Sequence, residues 1–324
     1  MESAIAFLRE HFANEITIRE NVPMSHYTTL QAGGNARYLV DVARLDVFAK
    51  LAAVAQTMDL QYIILGSGSN VLVSDKGIEA LVIINSCSRI DIADETYAET
   101  GCWLQDLVLK AAQKNRTGLE FAVGIPGTLG GALVSNAGAY RANIESTLTA
   151  IEIVRDGERK WVKPDYLEFK YRDSILRRQD PPKIALLSVR MNLAEDDPKQ
   201  IYDRAREFQR QRIMKQPPHA SAGSFFKNVY DVDLAQEIEG LTDGMRANGV
   251  IPAGYLMEAC GLKGYTEGRA CITAKHANYI CNLGGATARD IRLLATVAKE
   301  RVFERFGIML EEEVLYIGEW DDIE

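Results

Sequence analysis

Apolar residues along this chain recur at two alternating periods, one helical and one strand-like. Leu45, Phe48, Leu51, Ala52, Ala55 and Met58 fall at helical spacing, and the apolar run Tyr62 to Leu65 follows them as a strand. Val71 to Val73 and Leu81 to Ile84 predict two more strands, and Leu104, Leu107, Val108 and Ala111 a second amphipathic helix. Ala150 to Arg155 and Lys160 to Val162 flank Asp156-Gly157. Both residues of that dipeptide accept positive φ, which predicts a tight hairpin. Ile184 to Val189 reads as another strand. Residues 194 to 200 are charged, non-periodic and broken by Pro198, so they read as a linker. Asp197 as N-cap and Pro198 at the first helical position then start a helix. On it Ile201, Ala205, Phe208 and Arg212 share a face, with the arginine stem along the apolar stripe. A helix opened by Pro252 and a long one started by Thr287 and Asp290 follow, the latter with Ile291, Leu294, Ala295, Ala298 and Val302 on one face. The strand Val314 to Ile317 closes the pattern. Such alternation excludes an all-α bundle and an all-β sandwich.

Length and charge narrow the picture. The 324 residues imply about two domains, and the linker-like stretch places the division near residue 200. An apolar fraction of 47% and a charged fraction of 25% are those of an ordinary globular protein. Lys+Arg 37 against Asp+Glu 45 gives a net charge of -8, which excludes non-specific nucleic-acid binding, since that requires a basic face. A small anionic ligand needs only a few local cations and stays possible. Cys87, Cys102, Cys260, Cys271 and Cys281 are odd in number, widely spread and contain no C-x-x-C pair. Neither a disulfide framework nor a structural metal site is expected, and reduced thiols in a cytoplasm are the simplest reading. Residues 1 to 15 lack the basic segment and long apolar run of a secretory signal, and no window approaches 18 uninterrupted apolar residues. A cytoplasmic protein without a membrane span is expected.

Two glycine-rich segments carry the candidate chemistry. Gly66-Ser67-Gly68-Ser69-Asn70 follows a strand but is no dinucleotide fingerprint: Val71 occupies the third glycine position, and a strand follows where a helix is required. Two readings remain, a plain hairpin turn or a concave turn whose N–H groups and hydroxyls hold a pyrophosphate. The second segment, residues 118 to 140, holds Gly118, Gly124, Gly127, Gly130, Gly131 and Gly138. Each costs about 0.5–1 kcal/mol to order, so the cluster is a liability unless the close approach it permits returns that energy. Tight strand packing at a seam is one account. With Pro126, Ser135 and Asn136 in the segment, a wall against a large flat cofactor is the other, and it is favoured.

Taken together, these segments resemble the UDP-N-acetylenolpyruvoylglucosamine reductase family over nearly the whole chain. His26-Tyr27-Thr28-Thr29 with Ala32-Gly33-Gly34 resembles the family's opening; GSGSNVLV at 66 to 73 and residues 118 to 140 resemble its two flavin-contacting stretches. YRDS at 171 to 174, AGSFFKN at 222 to 228 and LEEEVLYIGE at 310 to 319 resemble its catalytic, substrate and terminal segments. The resemblance implies an α+β protein: a bipartite FAD-binding region of the vanillyl-alcohol-oxidase (PCMH) type over 1–200, in lobes of about 1–86 and 87–200, and a C-terminal α/β substrate domain over 201–324. It further implies non-covalent FAD, NADPH as co-substrate, and reduction of the enolpyruvyl double bond of a UDP-sugar in peptidoglycan precursor synthesis.

Site residues follow from the same resemblance. Gly66, Ser67, Gly68, Ser69 and Asn70 would hold the FAD pyrophosphate, and Ile125, Pro126, Gly127, Gly131, Asn136 and Gly138 the isoalloxazine and ribityl side. Arg172 would fork onto the substrate carboxylate, Ser224 would give the proton, and Glu313 would polarise the enolpyruvyl group. Tyr171, Lys215, Lys227 and Asn228 would bind substrate, the lysines meeting the UDP diphosphate. No metal, nucleic acid or membrane is implied, and a monomer is expected. Two departures touch loop geometry: Arg141 stands where the family often has Gly, and Val229 where Pro is common. The stretch from Arg190 to Lys215 is also too short for the tyrosine-bearing substrate loop of one subclass, and its Tyr202 falls in a predicted helix. Another FAD-dependent oxidoreductase on the same fold, or a catalytically silent flavin-binding protein, are the alternatives.

Overall fold

The structure, a computed structural model, describes residues 1–178 and 182–321. It divides into two compact units, each discontinuous in sequence. The first comprises Met1–Val22, Ala36–Gly68 and Ile78–Met214; the second comprises Pro23–Asn35, Ser69–Gly77 and Lys215–Glu324.

Two larger sheets build most of the first unit, beside the two-stranded pair Gly138–Ala139 and Ala142–Asn143. One runs in the order Arg19–Pro23, Asn35–Val42, Ile78–Asn85, Tyr62–Leu65, with parallel pairing of Ile78–Asn85 to both its neighbours. The helix Leu45–Thr57 buries Phe48, Leu51, Ala52 and Ala55 against it, the stripe expected from their spacing. The other is antiparallel in the order Glu158–Val162, Leu148–Arg155, Ile184–Met191, Thr96–Glu99, Ile90–Asp91. Its hairpin turns at Asp156 (φ 55) and Gly157 (φ 79), the two positive-φ positions that this dipeptide predicts. Val154, Ala185 and Leu187 join the core of the first sheet, so the two lobes share apolar contacts.

The helix Pro198–Lys215 lies in the first compact unit up to Met214, and the second unit resumes at Lys215. Side chains on its inner face explain why. Arg204 bonds Glu120 at 2.8 Å and Asp196 at 2.7 Å, Phe208 stacks on Tyr140 at 4.0 Å, and Arg212 Nε donates to the Val123 carbonyl at 3.1 Å. Asp197 accepts from Gln200 N at 3.1 Å, the expected cap. A charged stretch that looks like a linker is thus the capped start of a docked helix. Tyr202 lies exposed on this helix.

The second unit packs around the helix Ala288–Phe306, which starts in the expected capping box of Thr287 and Asp290. Asp75, from the short N-terminal insert, accepts from Ala288 N and Arg289 N at 2.9 Å each and places negative charge at that helix start. Val71–Val73 pairs in parallel with Leu315–Ile317, and Asn282 Nδ2 donates to the Leu30 carbonyl at 2.9 Å. These long-range bonds draw residues 23–35 and 69–77 into the C-terminal unit.

Candidate active site

The first unit carries the start of the Gly66-to-Asn70 turn, the glycine segment 118 to 140 and Arg172. Tyr62–Leu65 and Val71–Val73 lie in different sheets, so the Gly66-to-Asn70 segment is not a hairpin turn. Gly66 lies directly against Thr128: a Cβ at Gly66 would meet Thr128 Oγ1 at 2.1 Å. Beside it Ser67 Oγ is buried without a hydrogen-bond partner among the described residues. An orphaned buried hydroxyl costs about 1–3 kcal/mol, and a ligand atom at this point removes that cost. Thr128 is buried, caps the helix Leu129–Val134 and accepts from Gly131 N at 3.4 Å. Gln105 Oε1 accepts from Gly124 N at 2.8 Å and holds the entry to the glycine segment. Ile125 packs on the core, Gly127 is buried, and Pro126 and Gly131 face outward.

Asn136 acts as a strut. Its side-chain amide donates to Glu145 Oε2 and to the Lys170 carbonyl, both at 3.1 Å, which ties residues 136, 145 and 170 together. Tyr171 and Arg172 occupy the two-residue tip of a hairpin closed by Lys170 N to Asp173 O at 3.1 Å and Asp173 N to Lys170 O at 3.2 Å. Arg172 has φ 52, a left-handed conformation that costs energy outside glycine and that clusters at functional sites. Its guanidinium donates to the Gly138 carbonyl and lies 5.2 Å from the Tyr171 ring centroid. Asn136, Gly138, Tyr171 and Arg172 are therefore one connected group. Arg141 adopts φ 66, the backbone that suits the glycine common at that position.

The second unit gathers Ser69, Asn70, Ser224, Lys227, Asn228 and Glu313. Phe225 and Phe226 are fully buried and anchor the segment that carries Ser224. Glu313 N donates to the Phe225 carbonyl at 2.8 Å, Asn70 Nδ2 donates to the Glu313 carbonyl at 3.0 Å, and Leu315 N donates to the Asn70 carbonyl at 3.0 Å. The segments that carry the candidate acid and the candidate glutamate are thus joined through their backbones. Within the run of three glutamates the roles separate: Glu311 pairs with Lys227, Glu312 with Lys299 at 3.0 Å, and Glu313 is bonded through its backbone to both neighbouring segments.

Lys227 is buried and its ammonium donates to Glu311, so a carboxylate already meets the charge expected to face a diphosphate. Asn228 Oδ1 accepts from Ala253 N at 3.2 Å at the start of the helix Ala253–Ala259. Lys215 is exposed; burial first, and then the Lys215 charge, push the His276 imidazole below its ordinary pKa.

Sequence reasoning missed Asn278. It is buried, accepts from Phe226 N at 2.9 Å, and donates to the Phe226 carbonyl at 2.8 Å, completing for that residue the bonds a neighbouring strand would make. Only its distance in sequence from Phe226 hid it. Asn278→Leu keeps the branching and heavy-atom count of the side chain and strips both partners, each worth about 1–3 kcal/mol when left buried and unmet. The urea midpoint of the variant is expected to fall clearly; an unchanged midpoint would show that the segment is held elsewhere.

A model of an FAD binding domain matches residues 36–162, and a model of the UDP-N-acetylenolpyruvoylglucosamine reductase C-terminal domain matches residues 215–317. The chain is 36% identical to the UDP-N-acetylenolpyruvoylglucosamine reductase of Caldicellulosiruptor saccharolyticus over 94% of both chains. It is 35% identical to that of Chloroherpeton thalassium over 99% of both. The crystal structure of UDP-N-acetylenolpyruvylglucosamine reductase from Thermus caldophilus superposes with a TM-score of 0.74 at 32% identity, covering 93% of this chain and all of that one. FAD fits the first-unit turn: Ser67 Oγ lacks a hydrogen-bond partner among the described residues, and the bare Cα of Gly66 lets the turn lie directly against Thr128. Among the described residues no helix is long and apolar enough to cross a membrane. With its likeness running from end to end and both domain models in order, the chain belongs to the UDP-N-acetylenolpyruvoylglucosamine reductase family.

Proposed function

We propose that this chain reduces the enolpyruvyl double bond of UDP-N-acetylglucosamine enolpyruvate to give UDP-N-acetylmuramate, with NADPH as the electron source, in peptidoglycan precursor synthesis. The observation that carries this reading is the 2.8 Å bond from Glu313 N to the carbonyl of Phe225, which fixes the glutamate beside the serine-bearing segment. Bound FAD supplies hydride transfer, from NADPH to the β carbon of the enol ether. It is held non-covalently, as neither glycine segment contains His or Cys. Gly66, Ser67 and Gly68 take the pyrophosphate; Ile125, Pro126, Gly127, Gly131 and Gly138 line the ring side, with Asn136 supporting them. Ser69 and Asn70 complete the turn, Asn70 through the Glu313 carbonyl.

This chain's own residues supply charge and proton. Hydride arrival at the β carbon leaves negative charge on the α carbon and its carboxylate. Arg172, steadied by the Gly138 carbonyl, forks onto that carboxylate and binds more strongly as charge builds. Ser224 gives its hydroxyl proton to the α carbon, a role open to so weak an acid only against a strongly basic carbon shielded from water. Glu313, when it carries a proton, polarises the enolpyruvyl group. Lys215, Lys227 and Asn228 hold the UDP diphosphate, Lys227 sharing its charge with Glu311, and Tyr171 stacks on or hydrogen-bonds the substrate. The first unit serves the flavin and the second the substrate, and the enzyme acts as a cytoplasmic monomer, where NADPH and UDP-sugar pools lie.

Anaerobic stopped-flow absorbance tests the reading. NADPH is expected to bleach the yellow protein, and the enolpyruvyl substrate then to restore its colour. A flavin that bleaches but is not recoloured by that substrate would sink the assignment, and a sedimentation mass far from 36.0 kDa would sink the monomer.

A further inference from the structure

Trp103 is 53% exposed, although it is among the largest apolar side chains in the molecule. It stands just before the helix Leu104–Gln113 and makes no side-chain cap there. Its backbone is nonetheless fixed. Leu104 N donates to the Gly127 carbonyl and Leu129 N to the Cys102 carbonyl, both at 3.0 Å, which encloses an antiparallel bridge between Trp103 and Thr128. Trp103 and Thr128 are thereby a non-hydrogen-bonded pair, in which opposed side chains leave the same face and come closest. The Thr128 side chain on that face abuts Gly66. The indole therefore shares a face with the Gly66–Ser67 turn, beside a buried hydroxyl that has no hydrogen-bond partner among the described residues.

An aromatic ring left half in water beside glycine backbone has apolar area to cover and little protein there to cover it. We propose that Trp103 packs on bound FAD next to the pyrophosphate held at Ser67, and helps the protein retain its cofactor. The inference rests on the FAD reading above and adds a residue to it. Trp103 is a binding residue here, with no part in moving the hydride or the proton.

Flavin release on dilution of the holoenzyme, read by the emission of free FAD, provides the test. Trp103→Ala is expected to raise the FAD dissociation constant about tenfold, the scale of one aromatic contact, with Trp103→Phe between it and wild type. A second reading uses tryptophan emission, which comes from Trp103, Trp161 and Trp320. Releasing FAD should brighten wild type clearly more than Trp103→Phe. Because the side chain is exposed, the flavin-free melting temperatures should agree. Dissociation constants within twofold of each other in wild type and Trp103→Ala overturn the proposal. A wild-type protein that retains no FAD at all overturns the cofactor reading beneath it as well.

Discussion

Ser224→Ala should leave reduction of the flavin by NADPH near its normal rate and slow reoxidation by the enolpyruvyl substrate by ~100-fold or more, the scale of a positioned proton donor. The asymmetry arises because only the second half of the cycle protonates carbon. The Ser224 hydroxyl makes no hydrogen bond to another described residue, so its removal breaks nothing in the protein. The segment around it is held by other groups: buried Phe225 and Phe226, the Asn278 amide, and the bond from Glu313 N. An unchanged melting temperature should therefore accompany the slow half-reaction. Ser224→Cys retains a proton on the same stem and is expected to recover part of the rate. Stopped-flow traces of each half-reaction decide the matter, since equal slowing of both would point to a damaged flavin site and remove Ser224 from the proton's path.

Local signals carried much of the fold. Asp156-Gly157 announces its turn because two positive-φ residues stand together, and Thr287 with Asp290 announces a helix start because both partners of the capping box lie within one turn. The discontinuous second unit had no such signal. Val71–Val73 reads correctly as a strand, but its partner Leu315–Ile317 lies at the other end of the chain, and nothing in either run specifies the pairing. For the same reason the Gly66-to-Asn70 segment kept a hairpin reading that only the sheet order removes. The site divides similarly. Arg172, Ser224 and Glu313 are candidates named from motifs, yet no motif showed the left-handed backbone of Arg172, because Tyr-Arg-Asp contains neither the Gly nor the Asn that ordinarily marks such a turn. Asn278 and Asn70 act on backbone groups far away in sequence, and polar residues of that kind look like any others until the chain is folded.

Gly66→Ala is expected to cost the protein most of its FAD affinity. The added methyl would lie 2.1 Å from Thr128 Oγ1, 2.9 Å from its Cγ2 and 3.0 Å from its Cβ, so rotating the threonine offers no escape. Thr128 cannot withdraw cheaply either, since it is buried, caps the helix Leu129–Val134, and is bridged through its backbone to Trp103. Overpacking of this kind costs about 1–3 kcal/mol. Strain taken up by the 66–68 turn moves Ser67, so the loss appears as a cofactor effect: a rise of about tenfold or more in the FAD dissociation constant, at 1.4 kcal/mol per decade. Double substitution separates strain from a generic defect. Thr128→Ala removes Oγ1 and Cγ2 and leaves only the 3.0 Å contact, so it should restore part of the affinity in the Gly66→Ala background while weakening wild type through the lost cap. Flavin retention measured across this cycle should be strongly non-additive. Additive losses, or normal FAD affinity in Gly66→Ala alone, would mean that the Gly66–Thr128 contact does not shape the cofactor cradle.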